Sequence, residues 1–153
     1  IAPLQADHKV AGVFGCHIAH EGHSPLTTYD LDQHFNRWIF RSHRKPIELD
    51  ESRQIPDGQI STHERFYSDN NSCLRKIAWE QVPIPEVIYG EDQLWAIEIL
   101  RHGFKKAYAS TAVVRHSHEY NFRETLIRSN TEWHFYKQHL KERLPSTKKK
   151  LGQ

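Results

Sequence analysis

The chain has 153 residues, enough for one domain with a modest core, and its 21 Lys and Arg against 19 Asp and Glu leave a formal charge of +2. So even a balance gives no electrostatic argument for nucleic acid. The mean hydropathy is −0.75 and no run approaches the roughly 18 apolar residues of a membrane span, which predicts a soluble chain buried mainly through its 4 Trp, 6 Tyr and 7 Phe.

Cys16 and Cys73 make no disulfide framework, which suits a reducing cytoplasm. The 12 His are the unusual count, because imidazole can ligate metal or hold phosphate. The chain contains no Met and no signal-peptide pattern. Opening on Ile1-Ala2-Pro3-Leu4, it is expected to be a piece of something longer.

In chain order, Lys9 to Ile18 reads as a short buried strand punctuated by glycine. Ser24-Pro25 supplies an N-cap and a proline at the first helical position. Leu31, Phe35, Trp38 and Ile39, at i, i+4, i+7 and i+8, give the following helix one apolar face. Residues 44–60 are polar and irregular, with Pro46, Pro56 and Asp57-Gly58 as turn signals. Ile60 to Ser68 is predicted to be extended. Asn71 or Ser72 caps a short helix carrying Leu74, Ile77 and Ala78, ended by Pro83 and Pro85.

The clearest helix runs from Glu91 to His102, with Leu94, Ile97 and Leu100 on one side, Trp95 and Ile99 adjacent, and Gly103 as its stop. Two strands are predicted next, Phe104 to Ala109 and Thr111 to His118. Asn121, with Glu124 three residues on, makes a capping-box start for the last helix. Its predicted apolar face is Leu126, Trp133, Tyr136, Leu140 and Leu144, and Pro145 ends it. Residues 146–153, with Lys148-Lys149-Lys150, are predicted to be a basic disordered tail, so the domain covers 1–145. The expected class is α/β, a mixed sheet flanked by helices with too few strands for a complete doubly wound fold.

Three segments carry a resemblance. They are Asp7-His8-Lys9-Val10-Ala11-Gly12-Val13-Phe14-Gly15; Phe66-Tyr67-Ser68-Asp69-Asn70-Asn71-Ser72-Cys73-Leu74-Arg75-Lys76; and Gly90-Glu91-Asp92-Gln93-Leu94-Trp95-Ala96 with Gly103-Phe104 and Ala112-Val113-Val114-Arg115-His116-Ser117-His118-Glu119-Tyr120. In order and spacing these resemble the family 2 glycosyltransferases of the GT-A fold, especially rhamnosyltransferase-like members.

The resemblance implies inverting transfer of a sugar from a nucleotide-sugar donor to the hydroxyl of a saccharide or lipid-linked acceptor, in polysaccharide or glycoconjugate synthesis. It implies a partial GT-A fold, the C-terminal, acceptor-side portion of a catalytic domain whose nucleotide-binding half is missing; this chain alone is then expected to be inactive. It also implies a divalent cation, Mn2+ or Mg2+, held by an Asp-x-Asp motif that is absent here. Asp30-Leu31-Asp32 is no substitute, because residues two apart on a helix point to nearly opposite sides. Cys16-His17 departs from the basic and amide residues that family members often carry after the first glycine motif.

The family's general base falls on Asp92, with Glu91 as a supporting carboxylate. A carboxylate at a helix start suits removal of a proton from an attacking alcohol, although acidic residues also sit there to complement the helix dipole. The resemblance places a metal-binding histidine at His116, with His118 in reserve. Two residues at i and i+2 on a strand share one face, which is equally the outer face of a half-buried strand. Imidazole favours Mn2+ over Mg2+.

Asn70, Asn71 and Arg75 are donor- or acceptor-binding candidates, since amides read hydroxyls and a guanidinium favours anions; capping is the alternative for Asn71. Trp95 offers a ring for sugar stacking, against core packing on its helix.

Two other classes compete. One is a non-catalytic carbohydrate- or protein-binding module on the same scaffold. The other, an unrelated zinc protein, is disfavoured by two Cys and no Cys-x-x-Cys. Nucleic acid ranks last, because Lys and Arg do not gather on one helix face. The expected location is cytoplasmic or peripheral at the inner face of the membrane, with self-association into a homo-oligomer over an uncovered sheet edge.

Overall fold

The structure, a computed structural model, describes residues 2–42 and 60–140, with the backbone alone for 38–42. Nearly all of the polar stretch 44–60, the side chains of Trp38 and Ile39, the helix end expected at Leu144 and Pro145, and the tail 146–153 lie outside the described residues.

The elements are α1 (Ala2–Ala6), β1 (Val10–Ile18), α2 (Pro25–Ser42), α3 (Thr62–Arg65), a 3-10 turn (Asp69–Asn71), β2 (Ser72–Leu74), α4 (Lys76–Gln81), α5 (Glu91–Arg101), β3 (Lys105–Arg115) and α6 (Phe122–His139). The strands form one sheet in the order β2-β1-β3, with β1 antiparallel to β2 and parallel to β3. This is the α/β architecture with a mixed sheet flanked by helices; the parallel pair is joined by the long crossover such pairing requires. Among the described residues no helix is long and apolar enough to cross a membrane.

Val10 to Gly15 are buried without alternation, as befits a strand covered on both faces. On one side Leu4 of α1 packs with Val10, Val13 and Ala107. On the other, the Phe14 ring lies 5.4 Å from Tyr67, 5.5 Å from Phe66 and 5.2 Å from Tyr108 between centroids. Phe35 of α2 and Trp95 and Ile99 of α5 complete that core. A second cluster of Ile60, Ile97, Phe135 and Leu140 covers the far side of α5, which explains why this helix is apolar almost all round.

Both expected helix starts on α2 and α6 form as the sequence reads. Ser24 Oγ accepts the Thr27 amide at 3.2 Å. At α6, Asn121 Oδ1 accepts the Glu124 amide at 3.0 Å, and the Glu124 carboxylate accepts the Asn121 amide at 2.8 Å.

Elsewhere the structure corrects the sequence reading. The stretch expected to be extended from Ile60 contains α3, because Ser61 and Glu64 form a capping box of their own. The short helix expected from Asn71 or Ser72 starts later, at Lys76, because Ser72 to Leu74 pair with β1. The two strands expected after Gly103 are one. Ala109 aligns with Gly15 and Val113 with Cys16, so Ser110, Thr111 and Ala112 bulge from a strand that stays on the same neighbour. On α6 the buried anchor is Phe135, while Leu126 and Trp133 of the expected apolar face are 55% and 36% exposed.

Candidate functional site

In sheets of this kind, ligands bind outside the carboxyl ends of parallel strands. Here β1 ends in Cys16-His17-Ile18, and β3 ends at Arg115 and runs on into His116 to Tyr120. The pairing outlasts the strand, since the His116 amide donates to the Ile18 carbonyl at 3.0 Å. The following residues are then knitted to the segment leaving β1. Ser117 Oγ accepts the His20 amide at 2.9 Å and lies 2.7 Å from His23 Nδ1. The Glu119 carboxylate accepts the Ser24 amide at the start of α2.

His116 and His118 sit just beyond the strand, and their imidazoles still meet, with Nε2 atoms 3.3 Å apart. His118 also stacks on Tyr120, at a 5.6 Å centroid distance and 20° between planes. Partial burial, and then the His116 imidazole, lower the His118 pKa. On its other side the His116 ring lies 5.0 Å from His17. His17 is buried, with Nε2 3.3 Å from Ser68 Oγ. Burial, followed by the His116 and His34 rings, pushes its pKa down to about 4, so His17 is neutral at physiological pH.

Asp92 is half-buried at the first turn of α5. The N-cap of α5 is Gly90, which has no side chain to cap with, and Asp92 Oδ1 accepts the Gln93 amide at 2.7 Å instead. Burial pushes the Asp92 carboxyl up to about 6; the Gln93 hydrogen bond opposes that, while the Asp69 and Glu91 charges add to it. Asp69, on the exposed 3-10 turn, is the link across the site. It acts electrostatically on both Asp92 and His17, and the His17 ring in turn meets His116, which meets His118.

The remaining candidates separate. Glu91 is half-buried beside Asp92, and Asn70 is exposed next to Asp69. Asn71 turns inward, its amide donating to the Cys16 carbonyl at 3.2 Å and the Ala112 carbonyl at 2.9 Å. That amide fits because residue 15 is glycine: a β-carbon on Gly15 would stand 2.3 Å from Asn71 Nδ2 and 2.2 Å from the Ala112 oxygen. Asn71 is thus the tie that closes the β3 bulge over β1.

Two candidates need correction. Trp95 has no exposed surface, and its indole N–H donates to the Val82 carbonyl at 2.8 Å, so the ring is core and presents no face to a sugar. Arg75 points to the opposite end of β1, where its guanidinium donates to the carbonyls of Val10 (2.9 Å), Asp7 (3.2 Å) and Leu4. It pins α1 to the sheet, far from the histidines.

Sequence reasoning passed over His17, Ser68 and Lys106. Lys106 is fully buried and donates to the carbonyls of Glu64 and Phe66, holding α3 and the residues just after it against β3. The one signal for His17 was its departure from the usual residues after the glycine motif.

Among the described residues no three His, Cys, Asp or Glu side chains converge to hold an ion. Two facing imidazoles are an incomplete set for Mn2+ or Mg2+, which take mostly oxygen ligands.

The chain is similar to two curated proteins. It is 27% identical to the O-antigen chain rhamnosyltransferase RfbN of Salmonella typhimurium (strain LT2) over 125 residues, which is 80% of this chain and 37% of that protein. It is 26% identical to the O-antigen chain rhamnosyltransferase WbaN of Salmonella anatum over 130 residues, 84% of this chain and 38% of that one. The match thus spans well under half the length of these relatives. No family model matches the chain, and no solved structure does.

Proposed function

We propose that the chain is the acceptor-side portion of an inverting glycosyltransferase of family 2 with the GT-A fold, acting in cell-surface polysaccharide synthesis. Similarity to two rhamnosyltransferases over at least four fifths of the chain supports sugar transfer. Their names make rhamnosyl transfer the specific form of the proposal, to which we add a nucleotide-sugar donor and a saccharide or lipid-linked acceptor.

In this reading the acceptor hydroxyl oxygen attacks the anomeric carbon as Asp92 takes the hydroxyl proton. A new C–O bond forms, and the bond to the nucleoside diphosphate breaks with its electron pair leaving on phosphate. Burial first, and then the Asp69 and Glu91 carboxylates, raise the Asp92 pKa and so keep its carboxyl basic. Asn70, exposed beside Asp69, is placed to read sugar hydroxyls. His118, beside His116, would donate a hydrogen bond to the departing diphosphate. A divalent cation belongs to the same proposal: His116 would be its imidazole ligand, and an Asp-x-Asp motif absent from this chain would supply the carboxylates.

The observation that carries the reading is a half-buried carboxyl, shifted to about 6, at the first turn of α5. A base is most effective when its pKa lies near the working pH. The test is turnover of nucleotide sugar by the full-length protein carrying Asp92→Asn. A fall of about 100-fold or more with donor affinity retained supports the assignment; near-normal turnover removes it.

A further inference from the structure

A helix packed on a globular core needs one apolar face. α6 has two. Phe135 is buried against Gly90 and the Ile60–Ile97 cluster, with Tyr136 half-buried at its edge. A separate set is left outside: Phe122 is 80% exposed, Leu126 55% and Trp133 36%. At about 100° per residue these three fall within about 40° of arc, and Phe135 lies roughly 200° from Trp133. Ile127, also exposed, lies outside that arc, about 100° round the helix from Leu126.

The charges bordering this stripe have one sign. Arg123 and Lys137 lie next to it, and Lys137 Nζ sits 4.7 Å over the Trp133 ring. The two carboxylates of the helix are turned to other work. Glu124 closes the capping box with Asn121, and Glu132 accepts from Tyr89 Oη at 2.7 Å and pairs with Arg128 at 3.3 Å. Beyond Leu140 the sequence adds Lys141, Arg143, Lys148, Lys149 and Lys150 against Glu142.

We propose that the Phe122–Leu126–Trp133 stripe of α6 docks on an anionic lipid surface, with the apolar side chains entering the headgroup boundary and the flanking cations on the phosphates. Charge decides between occupants. A second copy meeting this face about a two-fold axis would set its own Arg123 and Lys137 against the first copy's, whereas acidic headgroups neutralise them. Tryptophan with a lysine over its ring suits a boundary that is apolar on one side and wet on the other. The inference does not rest on sugar transfer.

The test is co-sedimentation of the full chain with phosphatidylcholine vesicles, with and without about one third phosphatidylglycerol. The chain pellets with the anionic vesicles and stays in solution with the neutral ones. Phe122→Ser with Leu126→Ser, at exposed positions, leaves the circular dichroism unchanged and weakens partitioning by about 10-fold or more. Lys137→Gln gives a smaller loss that added salt erases. Absence of pelleting with anionic vesicles overturns the proposal, as does pelleting unchanged in the double variant. A dimer that the double variant dissolves, without vesicle binding, assigns the stripe to a second copy and also overturns it.

Discussion

Phe135 rests its ring on the bare α-carbon of Gly90, so close that a β-carbon there would stand 2.5 Å from the ring edge. Gly90 has φ 75°, the left-handed region that penalises any side chain. The contact seats α6 on the residue just before Glu91 and Asp92, so packing at α6 sets the entry of α5 into the site.

Gly90→Ala therefore lowers stability by about 2 kcal/mol or more, from backbone strain and overpacking together. Urea denaturation measures the loss. Adding Phe135→Leu relieves the collision but not the strain, so the double variant recovers only part of the difference.

The Asp92 carboxyl gives a pH signature. Its folded pKa is raised from 3.8 to about 6. Between those values the folded state binds more protons than the unfolded one, so this group's stabilisation is present at low pH and lost as pH rises through about 6. Asp92→Asn removes that loss. The urea midpoint of the variant relative to the wild type is expected to increase between pH 4 and pH 6 and then level off.

His17 has the opposite sign. Its folded pKa is lowered from 6.5 to about 4, so its contribution is full above pH 6.5 and is lost as pH falls through about 4. His17→Gln, which keeps a partner for Ser68, flattens this acid-side loss. A variant whose midpoint falls with acid as steeply as the wild type's would show that His17 is not the buried neutral group described above.

Arg75 separates structure from chemistry. Arg75→Ala leaves the carbonyls of Leu4, Asp7 and Val10 without their charged donor, at about 2 kcal/mol. Amide exchange in α1 speeds up. In the full-length protein KM for donor and acceptor stays unchanged, because the guanidinium sits at the wrong end of β1; a raised KM would return Arg75 to the site.

The elements legible in the sequence are those fixed by neighbours along the chain. The Asn121–Glu124 box, Ser24-Pro25, and the Glu91 helix stopping near Gly103 all state their local physics within four residues. The same box at Ser61–Glu64 was equally present, but the apolar residues around it read as a strand. What stayed hidden depends on distant partners. Asn71 bonds across 55 residues to Cys16, Arg75 across 65 to Val10, and Ser68 across 51 to His17. Whether a polar side chain faces a ligand or a carbonyl is decided by that closure. Asn71, Arg75 and Trp95 thus have the right chemistry for a site and a different task in the fold, whereas His116 and His118 do meet, just past the carboxyl end of β3.

The bulge at Ser110, Thr111 and Ala112 bears on how the molecule avoids its own kind. Among the described residues β3 is one of the two outer strands of the sheet, the longer of them. A foreign strand adding along its outer edge would match it up to Ala109, meet three protruding residues, and fall out of step before Val113. An unbroken ribbon along that edge is thereby discouraged, and the Asn71 amide that clamps the kink from the inside helps to keep the edge out of step.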